Sequence, residues 1–171
     1  TCKRFVELTH DIGGSGVKVR PNGLPKDVPV AKTLEQIGRS LIPCGKAAKA
    51  MGVEIHVEVH GRGTAHPPHM KAIMDHCEHE SVGITWNCNP GDVKGGSVVE
   101  YFKMLAPWIR NCHIHELNSK YPYKEFFGLL KQRGYDRLTL LEQGRVPRSK
   151  ADRVKYLKQY AKDWSTLVQR A

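Results

Sequence analysis

The sequence predicts an α/β fold built on a parallel sheet, and three observations carry that prediction. Short β-branched runs alternate with helical stretches five times, at intervals of roughly 25 to 35 residues, which is the pattern of successive βα units. Glycine and proline punctuate the boundaries, as at Pro21, Gly61 and Gly134, where they stop strands or close helices. Each strand also finishes in polar residues, and parallel α/β folds collect their chemistry at the carboxyl ends of strands. At 171 residues the chain has room for one domain with a sizeable core, and no linker divides it.

Taken in order, GVKVRP (residues 16–21) reads as a strand stopped by proline. Residues 32–51 place Leu34, Ile37, Leu41 and Ala48 on one helical face. Pro43 is expected to kink that helix or restart it. Residues 53–60 (VEIHVEVH) alternate as a strand, ended by Gly61-Arg62-Gly63. A helix is expected over 69–79, with Pro67-Pro68 at its entrance. Residues 82–86 form the third strand, followed by the loop NCNPGD. Ser97 is suited to cap a helix running to residue 106. Residues 109–115 form the fourth strand, and 122–133 a helix closed by Gly134. Residues 137–142 form the fifth strand, and 149–169 the last helix.

Composition narrows the class. Hydrophobic residues make up 40% and charged residues 26%, which is globular usage. No signal peptide is visible, and no apolar run reaches the length of a membrane span. The five cysteines, Cys2, Cys44, Cys77, Cys88 and Cys112, are odd in number and contain no CxxC pair. That argues for reduced thiols in a cytoplasm, and against a disulfide framework or a zinc knuckle. The formal charge of +10 suits an anionic ligand such as nucleic acid or a phosphorylated sugar, and suits solubility equally. Much of the excess lies in residues 145–170, which read as a solvated helix face. With no arginine-rich block and no basic stripe interleaved with aromatics, a nucleic-acid partner is the weaker reading.

The strand ends carry the chemistry. They are Arg20, then Glu58-Val59-His60, then Trp86-Asn87, then His113-Ile114-His115-Glu116, and finally Glu142-Gln143. Within HVEVH, the alternation puts His56, Glu58 and His60 on one face and the valines on the other. His113 and His115 likewise share a face. A glutamate on an inward face is costly unless it meets a cation or a strong donor. Two such glutamates beside His115 point to metal ligation. The competing reading makes Glu58 and Glu142 structural ion pairs with Arg20 or a lysine.

The spaced blocks GVKVRP, GVEIHVEVHG, VGITWNCNPGD, NCHIHELN and LTLLEQG resemble the xylose-isomerase-like (β/α)8 TIM barrels, the sugar phosphate isomerases and epimerases that share a superfamily with endonuclease IV. The resemblance runs over residues 16–144. It implies that the five strands are the fourth to eighth of a barrel, with residues 1–12 as the helix before the fourth. The single domain 1–171 is then the C-terminal part of such a barrel, and N-terminal sequence, a partner chain or a homo-oligomer completes it. The family's divalent metal is held by four strand ends, which fall here on Glu58, Asn87, His115 and Glu142. Two departures stand out. Asn87 replaces the family's aspartate with a neutral amide, which weakens a hard-cation site. Pro90 stands where the family often has a substrate-binding histidine, a contact that is then either absent or supplied by His60, Asn89, Asp92 or His113.

The resemblance implies a metal-dependent isomerase or epimerase acting on a small sugar or keto-sugar through an enediolate. Glu58 and Glu142 would remove and return the proton. Mn²⁺, Mg²⁺, Co²⁺ and Zn²⁺ all suit a carboxylate-and-histidine donor set. Trp86 would offer the sugar an apolar floor, while Arg20, Arg62, Lys120 and Arg145 would anchor hydroxyl, carboxylate or phosphate groups. Three alternatives use the same fold: a metal-dependent lyase or hydrolase of keto-glycosides, a sugar-binding barrel without catalysis, and a nuclease like endonuclease IV. The last needs more aspartate and histidine than the sequence shows.

Overall fold

The structure is a computed structural model that describes all 171 residues. Its elements alternate as the sequence predicts. They are α1 (Cys2–Asp11), β1 (Gly16–Val19), α2 (Val30–Ala50), β2 (Glu54–Glu58), α3 (Pro67–Cys77), β3 (Val82–Trp86), α4 (Val99–Leu105), β4 (Ile109–Ile114), α5 (Tyr123–Gln132), β5 (Thr139–Leu141) and α6 (Lys150–Arg170). The strands form one parallel sheet in the order β1-β2-β3-β4-β5. No strand reverses the order, so the sheet continues in one direction, as in an arc of a barrel, and not outward both ways as in a doubly wound sheet.

Burial explains why each element forms. On one face of the sheet, Ile55, Val57, Val82, Ile84, Trp86, Cys112 and Ile114 are buried under the helices. Trp86 packs against Phe126 and Phe102, with ring centroids 5.7 and 5.9 Å apart. The α2–α3 contact is close because Gly38 carries no side chain: a Cβ there would strike the Ile73 carbonyl and the His76 Cβ. Pro43 neither breaks nor restarts α2, which runs as one helix of 21 residues. Packing along Leu34, Leu41 and Ala48 outweighs the single backbone donor that proline removes. No helix is long and apolar enough to cross a membrane.

The other face of the sheet has no helix over it. The outward edges of β1 and β5 have no strand beside them, and Leu138 and Leu140, at and within β5, remain exposed. Phe5 and Leu8 on α1, Ile12 just after it, and Val154 and Leu157 on α6 are exposed as well, so apolar surface flanks both ends of the arc. The helix that closes the chain is well started, since the Ser149 hydroxyl accepts the Asp152 N–H at 3.1 Å. Ser149→Ala is expected to cost about 1 kcal/mol, read as a fall of roughly 2–4 °C in a thermal melt.

β3 and β4 pair with a shift. Ile84 lies opposite Ile109, but Thr85 lies opposite Asn111, leaving Arg110 as the extra residue of a bulge. The bulge puts Ile109, Cys112 and Ile114 in the core and turns Asn111 and His113 to the open face. Several strands end earlier than predicted, β2 at Glu58 and β4 at Ile114. The ladder nevertheless reaches past them, with the Val59 N–H donating to the Thr85 carbonyl at 3.1 Å and the Glu142 N–H to the Ile114 carbonyl at 2.9 Å.

Candidate functional site

Glu58, Asn87, His113 and Glu142 stand at or beside the carboxyl ends of four adjacent strands, on the open face. One ligand atom each from Glu58, His113 and Glu142 lies within 4.8 Å of the other two. His113 Nδ1 is the hub. It lies 3.4 Å from Glu58 Oε1, 3.3 Å from Glu142 Oε2 and 3.1 Å from Asn87 Oδ1. Glu58 is fully buried, while the Glu142 side chain is 43% exposed, so the cluster has an inner and an outer carboxylate.

The surroundings hold these groups in place. Asn89 donates through Nδ2 to the Val59 carbonyl at 2.7 Å and accepts from Asn87 Nδ2 at 3.2 Å. That orients the Asn87 amide so that its oxygen faces His113. The turn responsible passes through Cys88, whose φ of 46° is in the left-handed region that non-glycine residues seldom adopt. Lys18, on the same face of β1, places its ammonium 2.9 Å from Glu58 Oε2. Burial pushes the Glu58 carboxyl up, but Lys18, with His113 and His60, more than offsets it and holds the group below the usual carboxylate range. The ion-pair reading of Glu58 is thus realised through Lys18, on one oxygen only.

Deeper on the same face lies a second charged group. Glu54 bonds Arg137, His56 at 2.9 Å, and Arg110 at 3.5 Å. Burial raises the Glu54 carboxyl and its partners, Arg137 foremost, pull it below the ordinary range. Both Glu54 oxygens are taken by cations, so this layer braces the strands and offers no free ligand atom.

The other residues singled out in the sequence fall elsewhere. His115 does not join the carboxylates. Its Nδ1 lies 3.0 Å from the Glu142 carbonyl and its Nε2 2.7 Å from the Asn87 carbonyl, so the ring bridges two strand ends. Its own N–H donates to Tyr123 Oη and its carbonyl accepts from Tyr160 Oη. His113, one step inward, stands where His115 was expected. Trp86 offers no floor to a sugar, because it is buried on the helix side with Nε1 donating to Tyr121 Oη at 2.8 Å. Asn89 spends both ends of its amide on the protein. His60 is half-buried, and its carbonyl accepts the Thr64 hydroxyl at 2.7 Å. Arg20, Arg62, Lys120 and Arg145 are exposed in the loops. Of these, Lys120 lines a cavity of about 420 Å³ together with His115, Ser119, Tyr121 and Tyr123. Lys18 was not singled out, although the alternation that puts it on one face with Arg20 was legible in GVKVRP.

The donor set fits a divalent ion. Two carboxylate oxygens, an imidazole nitrogen and an amide oxygen are hard-to-borderline ligands, and their mutual spacing can be spanned by bonds of about 2.0–2.6 Å. His113 can serve only when its proton sits on Nε2, because a nitrogen donating to Asn87 has no lone pair to give. Glu58, His113 and Glu142 form the one group of three such donors in the chain.

By sequence, no family model and no curated protein matches the chain. Solved structures do match. A xylose isomerase domain protein from Planctomyces limnophilus is 14% identical at a TM-score of 0.75, over 97% of this chain and 64% of that one. A 3-keto-D-glucoside 4-epimerase from E. coli is 14% identical at a TM-score of 0.74, over 92% of this chain and 69% of that one. The IOLI protein, solved with a bound zinc atom, is 13% identical at a TM-score of 0.74, over 99% and 68%. Further neighbours are again sugar epimerases. The chain spans about two thirds of the length of the three structures named. At this identity the likeness establishes the fold alone: five parallel strands with alternating helices, matching part of the TIM barrels of these proteins.

Proposed function

We propose that the chain carries the metal-binding and proton-transfer wall of a sugar isomerase or epimerase that acts on a small sugar or keto-sugar through an enediolate. The observation that carries the reading is the meeting of Glu58 and Glu142 at His113 Nδ1, from three separate strand ends, with Asn87 Oδ1 also beside that nitrogen. Sugar epimerases and isomerases among the structural neighbours support it. A divalent ion, Mn²⁺, Mg²⁺, Co²⁺ or Zn²⁺, held by Glu58, His113, Glu142 and Asn87 would polarise a carbonyl and acidify the neighbouring C–H.

The protein's own groups do the rest. Glu58 and Glu142 reach His113 from β2 and from beyond β5, so they flank the space above it and can address a bound sugar from two sides. One carboxylate takes the proton from carbon as the C–H electron pair forms the C=C bond of the enediolate and the carbonyl π pair moves onto oxygen. The other returns a proton to the planar enediolate, and return from the opposite face inverts the centre. Glu142 is the less constrained of the two, since its carboxylate is 43% exposed and pairs only with His113. The inner base, Glu58, is held on both oxygens.

Elimination from a keto-glycoside would use the same proton abstraction; the neighbour named as a 3-keto-D-glucoside 4-epimerase supports a substrate of that kind, with epimerisation as its named reaction. The test is a Mn²⁺ titration followed by electron paramagnetic resonance, with deuterium uptake from D₂O into D-tagatose and a 3-keto-D-glucoside read by NMR. One bound ion and metal-dependent uptake are expected. Release of free aglycone would select elimination, while absence of both ion binding and uptake would remove the catalytic reading.

A further inference from the structure

We infer that Lys18 is the built-in counter-cation of this site and holds its affinity for divalent ions down. The inference rests on reading the Glu58–His113–Glu142 cluster as a metal site. Lys18 belongs to β1, where its Cα lies opposite His56, and its side chain reaches across to Glu58 Oε2 at 2.9 Å. Glu58 is therefore divided: one oxygen faces the ammonium, and the other faces His113 at 3.4 Å. Lys18 has no other hydrogen-bond or salt-bridge partner, so it acts on the cluster through Glu58 alone.

Three physical consequences point the same way. An ion among Glu58 Oε1, His113 Nδ1 and Glu142 Oε2 would stand one carboxylate away from a positive charge, which solvent screens in part because the Lys18 side chain is 44% exposed, while the Glu58 carboxylate between them is 1% exposed. The ammonium also neutralises one of the two negative charges that would attract the ion, at a site where Asn87 adds none. And without Lys18 the buried Glu58 would lack its strongest partner, a state that an incoming cation relieves. Positioning pulls in the opposite direction, because Lys18 helps to aim the carboxylate. That contribution is small here: the enclosed side chain, 1% exposed, has little room to turn whether Lys18 is present or not. Charge outweighs positioning, and Lys18 makes the ion exchangeable.

The test measures the Kd for Mn²⁺ by electron paramagnetic resonance in the wild type, Lys18→Met and Lys18→Arg, with thermal melts to confirm folding. Lys18→Met is expected to bind Mn²⁺ at least tenfold more tightly, while Lys18→Arg, which keeps the charge, stays within threefold of the wild type. A purely structural role would weaken binding in the Met variant. Equal or weaker binding in a folded Lys18→Met protein therefore overturns the inference and leaves the metal site standing. If neither the wild type nor Lys18→Met binds Mn²⁺, the metal reading itself fails, and this inference with it.

Discussion

Under the proposed function, Glu58→Gln is expected to lower sugar turnover at least a thousandfold, because a proton-transferring carboxylate contributes about 10²–10⁴ in rate and its loss would also strip a charged ligand from the ion. The amide keeps the shape of the buried side chain, so folding should survive and Mn²⁺ binding should not. His113→Gln should behave in the same way. His115→Gln should not: its ring bridges the Asn87 and Glu142 carbonyls, so its loss is expected to loosen the strand ends while Mn²⁺ binding persists. Parallel titrations of the three variants with Mn²⁺ decide between the two histidines. Retained binding in His113→Gln together with lost binding in His115→Gln would transfer the ligand role to His115.

Replacing Asp92 with asparagine is expected to stabilise the protein by several kcal/mol at alkaline pH and hardly at all near pH 4. Asp92 is fully buried, and its Oδ1 has no hydrogen-bond partner. Only Oδ2 is satisfied, by the Asn89 N–H at 2.7 Å. Burial raises the carboxyl from an ordinary 3.8 to about 7, against the opposing pull of that N–H. The folded state thus holds its proton to higher pH than the unfolded chain. Below the unfolded value the group is neutral in both states and costs nothing. As pH rises toward 7 the unfolded chain releases its proton first, and folding loses stability until the folded group ionises too. The full loss is about 4 kcal/mol, or roughly 10 °C in melting temperature. Asparagine can still accept the Asn89 N–H, but it carries no charge. Melting curves of both proteins from pH 4 to pH 8 should diverge with rising pH, and parallel curves would show that Asp92 is solvated.

Some of this architecture was plain in the chain's own order of residues. Alternating strands and helices, and the polar finish of each strand, follow from side-chain direction along the backbone, which is local: residues two apart in HVEVH must share a face. Placing Glu58 on the open face required nothing more, whereas Glu142, after the apolar run at 140–141, was marked only by its position at a strand end and takes its face from pairing with β4. The β4 bulge was only hinted at. The core residues Ile109, Cys112 and Ile114 are spaced three and then two apart, which a regular strand cannot bury together, but the extra residue could be assigned to Arg110 only from pairing with β3.

Sequence alone determined the parallel α/β class, the five βα units and the strand ends where carboxylate and imidazole groups gather. Tertiary structure alone decided that His113 and not His115 meets the carboxylates, that Lys18 claims one oxygen of Glu58, and that Trp86 turns to the helices. Each of those outcomes depends on what the neighbouring strand or helix presents at contact distance. Strand register and side-chain rotamers are set by partners far away in the chain, whereas alternation is set by the backbone itself.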